Sequence, residues 1–502
     1  MKIAGLDIGT TGCKCTVFDE NGQYLDKAYS AYPVKRVVGS HEIDVSIVMV
    51  AVLHVIRKMA SQYPDIRGIG VTSFGETFVA TDENGKPLRA AMLYTDPRGR
   101  EECEALVERL GEKTIVNLTG LRPHEMYSIS KLMWLKVHEP DIWAKTQYIF
   151  LLEDYVVYHL TGIRQIDYSL ASRTMAFDIK NMCWSSKILD AAGIDRNLLS
   201  VPVPIGTSAG PVTENVAIQT GLAPSTEIIS VSHDQIAAAV GAGVFDSSLA
   251  VDGAGTVECL TPVFDDLPDM EAMYDGYFSV VPYVIPGKYV AYAFSYTGGA
   301  LMQWCTEMLA KKEKLDSEVL GITVNELLEK LYYERNGENP SGLLVLPHFA
   351  GAATPYMDTG SKGAILGLTV DTRAEDIYRG CMEGVVYEMY LNAKALEKSG
   401  TKYQKIHATG GGAKSAVWMQ MKADMLGVPI VALKTTDAGT VGSAMLTGIA
   451  VGLFEDLQEA AAYMVKEIAC YEPRAHMHET LLSNYERYEK VYEAVRPLMG
   501  KA

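Results

Sequence analysis

The stretch Ile3-Ala-Gly-Leu-Asp7-Ile-Gly9-Thr10-Thr11-Gly12-Cys-Lys14-Cys-Thr16-Val-Phe-Asp19 decides the fold. Ile3 to Leu6 reads as a buried strand, and Asp7 ends it with a carboxylate placed to hold Mg²⁺ or one of its bound waters. Gly9 and Gly12 predict a turn of positive φ, in which the N–H groups and hydroxyls of Thr10 and Thr11 converge on an anion. Cys13 to Phe18 follows as a second strand, because Asp19-Glu-Asn-Gly22 signals another turn before any helix can form. A P-loop and a dinucleotide-binding turn both open a helix. Here the chain returns as a strand, which an ordinary hairpin would also do, so the rest of the sequence must decide.

A second hairpin of the same layout lies mid-chain, where Ser248-Leu-Ala-Val-Asp252 leads through Gly253-Ala-Gly255-Thr256 into Val257-Glu-Cys-Leu-Thr-Pro-Val263. Just before it, Val231-Ser-His-Asp234-Gln235 runs into the small-residue segment Ile236 to Gly243, which reads as a closely packed helix with Asp234 at its start, where the dipole favours a carboxylate. A third cluster, Thr409-Gly410-Gly411-Gly412-Ala413-Lys414-Ser415, follows the strand-like Lys405-Ile-His-Ala. It precedes a helix with Trp418, Met421 and Met425 on one face. Strand, glycine turn and helix N-terminus together make a seat for a nucleotide.

In this order the motifs resemble those of the FGGY carbohydrate kinases, the family of xylulokinase, ribulokinase, gluconokinase and glycerol kinase. Asp7 to Thr11 matches the family's first phosphate motif, Asp234-Gln235 its catalytic pair and Gly255-Thr256 its second phosphate motif. Gly410 to Gln420 matches its adenosine motif. Asp154-Tyr to Gly162 and Asp167-Tyr-Ser-Leu-Ala-Ser-Arg-Thr174 are similar to its N-domain body. Thr354-Pro-Tyr-Met-Asp358 with Gly363 to Leu368, and Thr440-Val-Gly-Ser-Ala444, are similar to C-domain segments.

The resemblance implies an α/β fold of two domains of the actin, Hsp70 and hexokinase (ribonuclease H-like) type, each a mixed five-stranded sheet, flanking a central cleft. A boundary near Phe245 separates residues 1–245, with the sugar site, the first phosphate loop and the catalytic Asp, from residues 246–502, with the ATP site. The implied roles are Asp234 as general base, Asp7 for Mg, and Thr10, Thr11, Lys14, Gly255, Thr256, Gly411, Gly412 and Ala413 for ATP. Asp437 is a candidate support for the nucleotide side. Glu479 to Leu498 is expected to be one amphipathic helix.

The sugar pocket departs from the relatives. Ketopentose kinases carry Gly-Gln-Met-His-Gly where this chain has Ser73-Phe-Gly75-Glu76-Thr77. Glycerol kinase carries Asn-Gln-Arg-Glu-Thr, so Glu76 matches its polyol-binding glutamate while its arginine becomes Gly75, which leaves room for a larger substrate. Tyr94 replaces a tryptophan in Tyr94-Thr-Asp96-Pro-Arg98, and Cys259 stands where glycerol kinase has an aromatic wall, so two aromatic contacts are reduced, which also fits a longer substrate. Gly75, Glu76, Tyr94, Asp234 and Gln235 are the substrate-binding candidates. His233 is either a substrate contact or a buried, hydrogen-bonded histidine. The expected substrate is a ketose such as xylulose or a related pentulose, with a polyol of glycerol or erythritol type as the alternative. A non-catalytic, ATP-dependent sugar sensor is the alternative from another class.

Composition agrees. At 502 residues and 48% hydrophobic content the chain can bury two cores. A net charge of −17 argues against a nucleic-acid partner. The eight cysteines include no CxxC pair, which points to reduced, buried thiols in a cytoplasmic protein. No signal peptide precedes the first strand and no uninterrupted apolar stretch reads as long enough to span a bilayer, so no membrane partner is expected. Homodimers are common in the resembled family, which makes a homodimer one assembly open to this chain.

Overall fold

The computed structural model describes residues 1–435 and 437–500. One sheet takes β1 (Lys2–Ile8), β2 (Gly12–Phe18), β3 (Tyr24–Ala31), β4 (Ile66–Ser73), β5 (Thr207–Pro211) and β6 (Glu227–His233) in the order β5-β6-β4-β1-β2-β3. The other takes β7 (Leu249–Ala254), β8 (Glu258–Phe264), β9 (Ser279–Pro282), β10 (Tyr289–Ser295), β11 (Lys405–Thr409), β12 (Ile430–Leu433) and β13 (Glu467–Tyr471) in the order β9-β10-β8-β7-β11-β12-β13.

The same five-strand kernel recurs in both. A hairpin-led antiparallel run, β1-β2-β3 or β7-β8-β10, is flanked by two strands parallel to its first, β4-β6 or β11-β12. The expected five strands are therefore present twice, and antiparallel edge strands β5, β9 and β13 widen the sheets to six and seven.

The helices that position the site are α1 (Val45–Gln62), α2 (Asp234–Gly241), α3 (Ala416–Leu426) and α4 (Ala438–Ala450), while α5 (Ala475–Tyr488) packs the C-terminal part. Because β1 is central, both of its faces are covered and Ile3, Ala4, Leu6 and Ile8 are all buried. On one face lies α1, capped by Asp44, which accepts from the Ser46 N–H, with Val48, Val52, Val55, Ile56 and Met59 buried. At 18 residues α1 is long and apolar enough by length and composition to cross a membrane, a stretch the sequence reading passed over. Here its apolar stripe packs on β2 and β3.

On the opposite face lies α4, supplied from the far end of the chain. Its Ser443 Oγ donates to the Gly70 carbonyl at 2.8 Å. Against α4, antiparallel to it, runs α2. A Cβ on Gly442 would overlap the Ala237 carbonyl, and one on Gly241 would overlap the Ala438 carbonyl, so the two helices meet backbone to backbone.

The C-terminal segment differs from the single predicted helix. α5 stops at Tyr488, and a short helix Val491–Val495 and a 3₁₀ turn Arg496–Leu498 follow. The break leaves Leu481, Tyr485, Tyr488 and Val491 buried. It also lets the Tyr492 hydroxyl donate to Asp358 at 2.8 Å, with Arg496 on the same carboxylate.

The helix crossing gives a direct test. Gly442→Val should destabilise the protein by at least about 2 kcal/mol, because an overpacked backbone contact cannot relax by changing a rotamer. A thermal melt within a degree of the wild type would show that the crossing tolerates a side chain.

Candidate active site

Asp7 pairs across the first hairpin with Lys14. Neither Gly9 nor Gly12 adopts positive φ, which corrects the predicted turn. The requirement is steric instead: Gly12 lies against the Tyr29 ring, and a Cβ on Gly9 would sit 3.2 Å from the Gly12 carbonyl oxygen. The Gly9 N–H donates to the Gly12 carbonyl at 3.0 Å and the Tyr32 hydroxyl to the Gly9 carbonyl at 2.5 Å. Thr10 and Thr11 are left at the accessible tip. Lys14 Nζ lies 3.0 Å from Asp7 Oδ2 and 2.8 Å from Asp437 Oδ1. Lys14 is therefore the counter-ion of two carboxylates, and Asp437, the N-cap of α4, is tied to the hairpin. Burial still raises the Asp7 carboxyl above its ordinary range, against the pull of Lys14.

Asp234 is the first residue of α2. Its side chain is 33% exposed, half-buried rather than enclosed. Burial, then the charges of Asp7 and Glu76, push its carboxyl up to about 7, while the Gln235 N–H opposes the shift. His233 precedes it as a buried, hydrogen-bonded residue. Its N–H donates to Ser169 Oγ at 2.8 Å, its Nδ1 lies 3.3 Å from the Tyr292 hydroxyl and its Nε2 lies 3.3 Å from Asp234 Oδ1. Burial and Arg173 hold the imidazole well below its usual range, so it is neutral at pH 7.

Glu76 lies at the end of the loop that follows β4, with φ +65°, and its carbonyl accepts from Ser128 Oγ at 2.6 Å. Positive φ in a non-glycine residue costs on the order of 1–3 kcal/mol and marks a position fixed by its surroundings. Its Oε1 accepts from Arg173 Nε at 2.6 Å and also from Arg173 Nη2, with the side chains only 5% and 7% exposed. The guanidinium lies 5.2 Å from the Tyr127 ring centroid and 5.7 Å from that of Tyr292.

The space expected in front of Gly75 is therefore taken. A Cβ there would sit 2.8 Å from Arg173 Cγ. Arg173 was legible only as part of a motif. The signal that could have found it is charge, since a glutamate closing an apolar strand needs a cation, and Arg173 interrupts the otherwise neutral run Ser169 to Met175. Tyr94 packs edge-on against Phe74, at 6.2 Å between centroids, and burial with the charges of Glu76 and Asp234 raises its hydroxyl. Asp96 and Arg98 bond to each other at 2.7 Å, and Arg98 also bonds to Glu42 at 2.7 Å.

On the other side of the cleft, the Gly255 and Thr256 carbonyls accept from the Gly299 and Gly298 N–H groups at 2.8 and 3.0 Å. Gly410, at φ +91°, packs against the Ala254 carbonyl, where a Cβ would stand at 2.5 Å. Gly411 is exposed and Gly412 partly so, whereas Ala413 is buried and offers only its backbone. Ser415 caps α3 by accepting from the Trp418 N–H at 3.1 Å and donates to Glu329 at 2.8 Å. Cys259 is buried opposite Phe294. Two of the eight thiols, Cys183 and Cys470, are exposed, contrary to the expectation that all are buried.

Family models described as the N-terminal and C-terminal domains of the FGGY family of carbohydrate kinases match residues 2–241 and 260–451. The chain belongs to the FGGY family of carbohydrate kinases. A xylulose kinase of Bacillus subtilis is 25% identical over 501 residues, covering 99% of this chain and 97% of that protein. A gluconokinase of the same organism is 28% identical over 453 residues (89% and 87%), and a glycerol kinase of Halorhodospira halophila is 29% identical over 488 residues (94% and 92%). Among solved structures, ligand-bound xylulose kinase from Lactobacillus acidophilus superimposes with TM-score 0.88 at 23% identity, covering 99% of this chain and 98% of that one. Plasmodium falciparum glycerol kinase with ADP gives 0.86 at 21% identity, covering 98% of each. This FGGY kinase is thus a two-domain, ribonuclease H-like phosphotransferase, which sets aside the sensor reading.

Arg173→Met in this kinase should raise the KM of an accepted sugar about tenfold or more and leave the ATP KM within about twofold, because it strands the buried carboxylate of Glu76, a candidate sugar residue, and touches none of the ATP candidates. Steady-state kinetics checks this, and an unchanged sugar KM would separate Glu76 from its guanidinium.

Proposed function

We propose that this FGGY kinase transfers the γ-phosphoryl group of ATP to a hydroxyl of a neutral open-chain sugar, a ketose such as xylulose or a related pentulose, with Asp234 as general base. The observation that carries the reading is the Asp234 carboxyl at the first position of α2, with neutral His233 as its neighbour at 3.3 Å, where burial and the charges of Asp7 and Glu76 raise it to about 7. A base poised near neutrality takes the hydroxyl proton as the sugar oxygen bonds to phosphorus and the bond from phosphorus to the β–γ bridging oxygen of ATP breaks, releasing ADP.

In this reading Thr10, Thr11, Gly255 and Thr256 cradle the phosphates, and Gly411, Gly412 and the Ala413 backbone receive the adenosine. Lys14 acts through Asp7. Gly75, Glu76, Tyr94, Asp234 and Gln235 form the sugar pocket, and the domain boundary falls near Phe245.

Mg²⁺ fits the residues present. Asp7 is a half-buried carboxylate whose charge burial disfavours and Lys14 favours, a place where a further cation would be welcome. Among the described residues no cluster of three or more His, Cys, Asp or Glu could hold a metal, as suits an ion shared between one or two carboxylates and substrate phosphates. Mg²⁺ bound there would neutralise phosphate charge.

Charge supports a neutral sugar. Arg173 is committed to Glu76, and Lys14 to Asp7 and Asp437, so an aldonate would face three carboxylates without either cation. A small polyol is the second reading, favoured by the Arg173 side chain that narrows the pocket at Gly75.

Coupled ADP release with Mg-ATP against ketopentoses, ketohexoses, aldonates, glycerol and longer polyols tests the proposal. We expect strongest turnover on a ketopentose, reduced about 10²–10⁴-fold by Asp234→Asn, whose fold is not weakened because the raised carboxyl marks a place where the negative charge is already disfavoured. A clear preference for an aldonate would falsify the neutral-substrate reading.

The pH profile gives a separate test. With Asp234 active when deprotonated, kcat/KM should rise through a limb near pH 7 and level off above it. Glu76→Gln removes a negative neighbour, so the limb should move to lower pH. A shift upward would contradict the assignment.

A further inference from the structure

We propose that Lys422 is a positioning residue for the nucleotide, locking the second phosphate hairpin to the adenosine-side helix, a role that rests on the proposed seat of ATP at Gly255, Thr256 and Gly411 to Ala413. Lys422 lies on α3 and is wholly buried. A helix lysine ordinarily carries its ammonium out to water, and dehydrating it costs several kcal/mol unless partners compensate. The partners are Asp252 on β7, whose Oδ2 lies 2.5 Å from Nζ, and Glu258 on β8. These strands are the two arms of the hairpin whose tip is Gly255-Thr256, and Glu258 stands opposite Ala254 in the ladder.

The ammonium also sits 4.7 Å over the ring of Trp418, one turn earlier on the same helix. That ring packs against Gly412, where a Cβ would approach to 2.8 Å. A Cβ on Gly298 would likewise meet Glu258 Oε2 at 2.8 Å, and Gly298 donates to the hairpin tip. One lysine thus holds both arms of the hairpin, the glycine turn and the start of the Gly299–Met308 helix in a single arrangement.

Two further observations set this apart from ordinary core packing. The cluster carries two carboxylates for one cation, and Asp252 Oδ1 and Glu258 Oε2 have no hydrogen-bond partner. An apolar core would fill the same volume at lower cost. The first hairpin carries a related charge tie with the roles exchanged, since Lys14 on β2 bridges Asp7 on β1 and Asp437 at the N-terminus of α4.

Lys422→Met alone would leave two buried carboxylates without a cation and confuse folding with binding. The neutral triple variant K422M/D252N/E258Q removes the lock without stranding charge. Calorimetric titration with MgADP should show about tenfold weaker binding in the triple variant, and the KM of an accepted sugar should stay within about twofold of wild type. A folded triple variant that binds MgADP as tightly as the wild type overturns the proposal. A wild-type protein that binds no MgADP overturns the nucleotide reading beneath it, and the proposal with it.

Discussion

The structure depends on one close contact, the antiparallel crossing of α2 and α4 at Gly241 and Gly442. Each helix follows the last parallel strand of its own five-strand kernel, β6 or β12, so the crossing joins equivalent places in the two halves. Side chains would hold the helices 8–10 Å apart, whereas glycine brings the backbones together. The consequence appears at the N-terminal ends of the two helices. Asp234 opens one helix and Asp437 caps the other, and Asp7 interacts with both.

The acids of the cleft are not equivalent, because their counter-ions are assigned. Asp7 has Lys14 and Glu76 has Arg173. Asp234 has only a neutral histidine beside it and two negative neighbours beyond, which leaves its proton affinity high. Three carboxyl groups of one kind are thus set in three different surroundings, distinguished by what each one touches.

Much of this was legible in the chain. Local signals are strong where a motif is contiguous: the hairpin at Asp7, its second copy at Asp252, the helix start at Asp234 and the Ser415 cap are all where the residue pattern puts them. The misses have a common cause. Arg173 and Tyr292 reach the pocket from segments roughly 100 and 200 residues away from Glu76, and no periodicity encodes that meeting. The glycines at 9 and 12 were read as conformational when close neighbours make them steric, the Gly12 carbonyl for Gly9 and the Tyr29 ring for Gly12. The break after Tyr488 answers to Asp358, again a distant partner.

Gly75 and Arg173 fill one space between them, and this constrains how the family can diversify along this lineage. Any side chain at position 75 needs a smaller residue at 173 first, and that intermediate leaves Glu76 without its cation. The two positions are therefore epistatic. Volume at this corner is shared, so a guanidinium supplied from position 173 excludes a side chain from position 75, and the identity of one residue sets what the other can be.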